Sequence, residues 1–425
     1  MRQIVRSLCM ENASWLNHAP FSNNELLGKI VLLDFFTYCC MNCLNVLGEL
    51  KVLEKEFSNE LMVIGVHSGK HLHEKEDVSI LDAMKRYKIE HCVINDADLR
   101  LWDGYGIKAW PTLVLIDPQG YVVAQYQGEG HLQTLRSDIR SLITKHELST
   151  KTFEPVHMKE EKRFLNYPQK VLASEEYLFI AHQDEVLVCS YEGKVLHKIS
   201  DISEPEGMVY VHDRLYIASC EGKCIVEVSE GFSQRNIWQD GLRNPYALAS
   251  DGKSMFVSLA GAHQIKAYDL DTKEELLVMG QENSESLSDG RYEEAVLAQP
   301  SGISLLEEEL WFVDSESSSL RCAAYGEVRS HIFDCDELQH PLDLCVGIYG
   351  DGCGGGRIFI VDSYNNAIKV YDPESRTVMT LTEELSEPSG VSKKGCQLFI
   401  ANTNAHEIVV FDLSKMQKTR LELRG

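Results

Sequence analysis

The sequence predicts a multi-domain chain: an α/β domain over residues 1–147, a linker over 148–163 and an all-β six-bladed propeller over 164–425. Three observations carry this. A Pro, a loop residue that follows an apolar run and an aliphatic residue recur six times, as Pro168/His182/Val188, Pro205/Ser219/Ile225, Pro245/Leu259/Ile265, Pro300/Asp314/Leu320, Pro341/Asp362/Ile368 and Pro388/Asn402/Ile408. A fixed period of this length means stacked or radial copies of one unit. Upstream, residues 25–145 alternate strand-like with helix-like segments, the mark of an α/β domain. Between them, residues 148–163 are polar and rich in Lys and Glu, as linkers are.

In chain order, Ile30 to Phe36 is an apolar run suited to a central strand. Asn45 to Phe57 has helical spacing through Leu47, Leu50, Leu53 and Phe57. Leu61 to Val66 reads as a second strand and Val78 to Tyr87 as a helix. Thr112 to Ile116 is a third strand, turned by Asp117-Pro118-Gln119-Gly120 into the returning Tyr121 to Tyr126. Gln133 to His146 closes the domain as a helix. Beyond the linker, helical periods vanish and short apolar runs alternate with Gly, Asp, Asn and Ser turns. Each unit of about 40 residues has room for four strands, as in a propeller blade; an open β-solenoid is the rival. The spacing from Pro to the second residue is 14 in five units and 21 in the fifth, which carries a Gly-rich insert read as flexible linker. Asp314, Asp362 and Asn402 recur at one repeat position and are read as caps of turn N–H groups. Residues Gln417 to Leu423 are placed as the outer strand of the last blade.

Composition narrows the function. Net charge is −24; residues 1–150 carry 15 basic and 19 acidic side chains, residues 151–425 carry 26 and 46. A repeat domain with a charge of −20 argues against nucleic acid as a partner, since such binding rests on neutralising phosphates. The apolar runs fall short of the roughly 20 residues that span a bilayer, so no membrane role is expected, and Met1 to Met10 shows no signal-peptide pattern. Thirteen scattered Cys read as mostly unpaired thiols in a reducing compartment, which places the protein in the cytosol.

Chemistry concentrates in Tyr38-Cys39-Cys40-Met41-Asn42-Cys43, where the first strand gives way to the first long helix. A Cys at a helix N-terminus meets exposed N–H groups and the positive dipole end, which favour thiolate. A second Cys one turn on can close a disulfide with it, so Cys40 is read as nucleophile and Cys43 as resolving thiol. Asp34 interrupts the strand; buried there its pKa is raised and it is placed to take the Cys43 proton. A structural carboxylate held by a hydrogen bond is the plainer reading of Asp34. Trp110-Pro111-Thr112 precedes a strand, and a cis bond before Pro111 fits a tight turn beside the thiols.

These stretches resemble a thioredoxin-like domain of the TlpA/DipZ type over residues 28–130, through Val31 to Cys43, Ile64-Gly65-Val66-His67-Ser68, Tyr105-Gly106-Ile107, Trp110-Pro111-Thr112 and Gly128-Glu129-Gly130. The units that follow resemble NHL repeats, and the order of the two resembles the NHL repeat-containing protein 2 family. Longer members continue into another β-rich domain, so this sequence is read as a short form. The resemblance implies that Cys40 and Cys43 fall on the two active cysteines, Asp34 on the buried Asp and Pro111 on the cis-proline. Tyr38, Asn42, His67, Trp110 and Thr112 are then accessory residues near the thiols. Cys39 departs from the pattern by standing where thioredoxins have Trp; it is either a third reactive thiol or a space-filler.

A zinc site at Cys39, Cys40 and Cys43 lacks a fourth ligand, and His67, His71 and His73 read as ordinary loop histidines, so no metal and no cofactor is expected. Cys220 and Cys224 flank a hairpin and read as structural thiols. Two functions stay open. One is a monomeric thiol–disulfide oxidoreductase with a redox-active disulfide, acting on a protein substrate that the propeller recruits. The other is a non-catalytic scaffold that binds a protein partner through the propeller face and inter-domain cleft, with the Cys40/Cys43 pair redox-silent.

Overall fold

A computed structural model describes residues 5–6, 10, 12–149, 163–282, 286–332, 337–347, 353 and 355–425. Most of the predicted linker, of the Gly-rich insert at 350–356 and of Met1 to Met10 lies outside these residues. The chain divides into two compact units, Met1–Glu161 and Lys162–Gly425.

The first unit runs β1 (Val5–Arg6), β2 (Ser14–Trp15), α1 (Asn23–Leu26), β3 (Ile30–Phe36), α2 (Met41–Glu56), β4 (Leu61–His67), α3 (Asp77–Arg86), β5 (Cys92–Asn95), α4 (Arg100–Tyr105), β6 (Thr112–Ile116), β7 (Tyr121–Gln127) and α5 (Leu132–Lys145). Its sheet has the order β1-β7-β6-β3-β4-β5-β2. β3 is central and every one of its residues is buried, as its unbroken apolar run requires. It pairs in parallel with β4 and antiparallel with β6. α2 buries Val46, Leu47, Leu50 and Leu53 and begins at Met41, a turn before the predicted Asn45. The apolar spacing signals only the packed stretch, whereas the Cys43 and Leu44 N–H groups bond to the Cys40 carbonyl and start the helix earlier. β5 and α4 have four and six residues, too few for a period to show. Asp96 holds α4 in place, accepting the N–H groups of Leu101 and Trp102 at 2.9 Å each.

The second unit is a six-bladed propeller of four-stranded antiparallel blades, whose innermost strands begin at Pro168, Pro205, Pro245, Pro300, Pro341 and Pro388. The repeat has a direct structural meaning. Each of these prolines pairs in register with the second residue of its triplet: with His182, Ser219, Leu259, Asp314, Asp362 and Asn402. Those residues end the second strand and are not loop residues, as the apolar runs before them had suggested. Asp314, Asp362 and Asn402 accept N–H groups from Ala298, Gln339 and Ser386, each two residues ahead of its blade's proline. Asp314 also meets Arg321 at 2.9 Å, both side chains fully buried. The fourth blade gains a fifth strand, Gly290–Arg291.

The ring is closed between the sixth and first blades. Thr403 Oγ1 donates to the Pro168 carbonyl and Ser389 Oγ to that of Gln169. Lys170 Nζ donates to the Ser389 carbonyl at 3.0 Å and lies 3.3 Å from Asp343 of the fifth blade. Gly390 permits this close approach: a Cβ there would come within 2.8 Å of the Gln169 carbonyl oxygen and 2.9 Å of the Lys170 Cα. Gln417–Arg420 forms the sixth blade's outer strand as predicted, and the chain then crosses to the first blade, where Arg424 N–H donates to Gly193 and Val195 N–H to Arg424. Among the described residues one disulfide, Cys353–Cys396, ties Cys353 of the Gly-rich insert to the sixth blade. It corrects the reading of that insert as plain linker and qualifies the expectation of unpaired thiols. Its partners are 43 residues apart, a spacing that carries no local signal. Cys220 accepts a hydrogen bond from Asn244 Nδ2, and Cys220 and Cys224 are not bridged.

Candidate thiol site

The site forms where β3 ends. Cys40 is the N-cap of α2, its N–H bonded to the Thr37 carbonyl, and Cys43 lies in the first turn. Cys40 and Cys43 carry thiols, with Cys40 buried and Cys43 fully so. Burial, then the hydrogen bond and charge of Cys40, then the charge of Asp34, push the Cys43 thiol well above its ordinary value. A resolving thiol so placed needs a base beside it.

Asp34 is completely buried, and neither carboxylate oxygen has a hydrogen-bond partner. Among the described residues, no protein group therefore holds this carboxylate by a hydrogen bond. Burial raises it to about 7, the charge of His91 acting against that rise and the charge of Glu54 adding to it.

The Trp110–Pro111 bond is cis. Because Thr112 pairs with Phe35, Pro111 lies beside the C-terminal end of β3, at the sheet end that carries the thiol loop. Trp110 Nε1 donates to the Ser68 carbonyl at 2.9 Å, and Thr112 Oγ1 to that of Ala109. His67 is not a loop residue: it ends β4, fully buried, with Tyr38 stacked on it at 5.3 Å and Phe36 against its edge. The Tyr38 N–H points at its Nε2. Burial lowers its pKa to about 4, against the opposing charge of Glu74, so it is neutral near pH 7. Asn42 sits half-buried between the two cysteines, and nearby Asn45 donates to Glu129 Oε2 at 2.7 Å, which ties the Gly128-Glu129-Gly130 turn to α2.

Three residues escaped sequence reasoning. Glu74, fully buried, accepts the Cys39 N–H at 3.2 Å, the Lys70 N–H at 3.0 Å, the His71 N–H at 3.1 Å and the Thr37 hydroxyl. Burial acts to raise it, but His67, Thr37 and His71 outweigh that and hold it below its usual range. Cys39 is thus anchored through its backbone, with Sγ 3.6 Å from Thr37 Oγ1. His91 and Glu54, the others, meet with Nδ1 3.4 Å from Oε1. Glu74 lies in a polar stretch, His-Leu-His-Glu-Lys-Glu, where nothing marks one carboxylate as buried.

Fold and site define a class: a thioredoxin-like domain with a paired-cysteine loop, followed in one chain by a six-bladed propeller. Residues 28–122 match the Thioredoxin-like family model. NHL repeat-containing protein 2 of Gallus gallus is 31% identical over 94% of this chain and 69% of its own length. Protein SUPPRESSOR OF QUENCHING 1, chloroplastic, of Arabidopsis thaliana is 29% identical over 97% of this chain, which spans 47% of that protein. Thiol-disulfide oxidoreductase ResA of Bacillus subtilis is 27% identical over 30% of this chain and 68% of its own. The chain belongs to the NHL repeat-containing protein 2 family. Among the described residues, no helix is long and apolar enough to cross a membrane.

Proposed function

We propose that the chain is a thiol–disulfide oxidoreductase acting in the cytosol on a protein substrate recruited by the propeller. The Cys40 thiolate attacks a substrate disulfide, forming a mixed disulfide and releasing one substrate thiolate. Cys43 gives its proton to Asp34 and its thiolate attacks the Cys40 sulfur. The Cys40–Cys43 disulfide forms, the second substrate thiolate leaves, and two electrons have passed to the substrate. An external dithiol restores the pair. Pro111 borders the thiol loop and docks the substrate chain. One observation carries this reading: a helix-capping Cys and a buried Cys one turn on share a site with a buried, unbonded Asp34. The likeness to ResA supports it.

Glutathione titration with mass-spectrometric location of the bond tests it. A two-electron couple between Cys40 and Cys43 in the range of about −270 to −180 mV is expected. No couple at these residues overturns the reading. The burial of Cys40 favours a second reading, a protein-binding scaffold with silent thiols. Full biological activity in the Cys40→Ser, Cys43→Ser variant establishes that one instead.

A further inference from the structure

We propose that His91, with Glu54 outside it, is the route by which Asp34 exchanges its proton with solvent, an inference that rests on the exchange chemistry proposed above. Asp34 pairs in register with Gly65, and Gly65 with Val93. Residues paired across a sheet point to the same face. Gly65 has no side chain there, and a Cβ added to it would come within 3.2 Å of His91 Nε2 and 2.9 Å of the Phe36 ring. Phe36 shares a face with Asp34, two residues before it on β3. The imidazole therefore lies over Gly65, on the Asp34 side of the sheet, in the space any other residue at 65 would fill.

His91 Nε2 is buried without a hydrogen-bond partner, and so are both Asp34 oxygens. Leaving such atoms unpaired is destabilising, so the arrangement is poor as a device for stability. The other ring nitrogen, Nδ1, is 3.4 Å from Glu54 Oε1, whose side chain is 30% exposed while that of His91 is 5%. Glu54 follows Cys43 on α2 by about three turns of 3.6 residues, so both lie on one stripe of that helix. The stripe carries the resolving thiol at one end and a solvent-reaching carboxylate at the other. The titratable groups gathered here are Cys43 and Glu54 from α2, Asp34 from β3, and His91 and Cys92 at β5. Burial and then the Glu54 charge push the Cys92 thiol up to about 11, which keeps it protonated and outside the relay.

The proton balance is simple. The Cys43 thiol gives its proton to the Asp34 carboxylate as the Cys40–Cys43 bond forms. Asp34 relays it through one bridging water to His91 Nε2, Glu54 stabilises the charge the ring gains, and the Nδ1 proton leaves to solvent past Glu54. Reduction of the pair reverses each step.

The test uses the full chain with His91→Gln and Glu54→Gln. The ionisation midpoint of Asp34 is read from carboxyl infrared bands of the reduced protein, and the rate of Cys40–Cys43 closure from single-turnover kinetics between pH 5 and 8. His91→Gln is expected to raise the midpoint and slow closure by about tenfold or more. Glu54→Gln, on a partly exposed helix position that tolerates the change, is expected to lower the midpoint and also slow closure. A purely structural role for His91 would not move the midpoint in opposite directions in the two variants. Unchanged midpoints and closure rates beside an active wild type overturn the relay and leave the oxidoreductase reading standing. If the wild type fails to exchange, that reading falls, and opposite midpoint shifts still support the His91 link to Asp34 while unmoved ones refute it.

Discussion

Replacing Asp34 by Asn isolates the energetics of a buried, unbonded carboxylate. Its pKa climbs from 3.8 in the unfolded chain to about 7 in the fold. Between these values the folded protein keeps a proton that the unfolded chain has lost. The unfolded state thus binds fewer protons, and stability falls as pH rises through this window. From pH 5 to 7 the fall spans roughly two pH units at ~1.4 kcal/mol each, or about 3 kcal/mol. Asn has no such dependence, although its amide pays a constant cost for sitting unpaired. Asp34→Asn should therefore gain about 3 kcal/mol relative to the wild type between pH 5 and pH 8, whatever the sign of its effect at pH 5. Urea unfolding monitored by hydrogen exchange of β3 peptides reads the α/β unit alone. A difference between the two proteins that is the same at pH 5 and pH 8 refutes the argument, because it would mean that Asp34 titrates equally in both states.

Three further outcomes are expected. Glu74→Ala removes the shared acceptor of the Cys39, Lys70 and His71 N–H groups and should cost about 3 kcal/mol or more by thermal unfolding; a loss below about 1 kcal/mol would deny Glu74 its anchoring role. Arg321→Met leaves the buried Asp314 charge uncompensated and should cost about 3–5 kcal/mol, whereas Arg321→Met with Asp314→Leu should recover much of that in chemical denaturation. Reducing Cys353–Cys396, which closes a loop with a separation of 43 residues, should lower propeller stability by up to about 4 kcal/mol, and dithiothreitol should have no such effect on Cys353→Ser.

Much of this was legible in the sequence, for identifiable reasons. The Pro168 and Pro388 units could be aligned because each proline is fixed in one register against the end of the next strand, so the spacing is set by hairpin geometry. Cys40, Cys43 and Asp34 stood out because each breaks the rule of its surroundings: thiols at a helix start, a carboxylate in an apolar strand. Glu74, His91 and Glu54 did not, since a buried carboxylate in a polar stretch looks like its exposed neighbours until the chain folds. His67 was misjudged because sequence places it one residue past an apolar run, while the β3–β4 register carries the pairing on to it. The Cys353–Cys396 bond joins two blades through residues with no shared local pattern.

The crossing of Arg424 to Gly193 and Val195 has a temporal consequence. A ribosome releases the chain from its N-terminal end, so the outer hairpin of the first blade emerges long before the strand segment that completes it. Until Arg424 has been made, the carbonyl of Gly193 and the N–H of Val195 wait without their final partners. The propeller thus cannot mature blade by blade as an open repeat array can. Its first and last segments reach their finished state together, once the sixth blade has emerged.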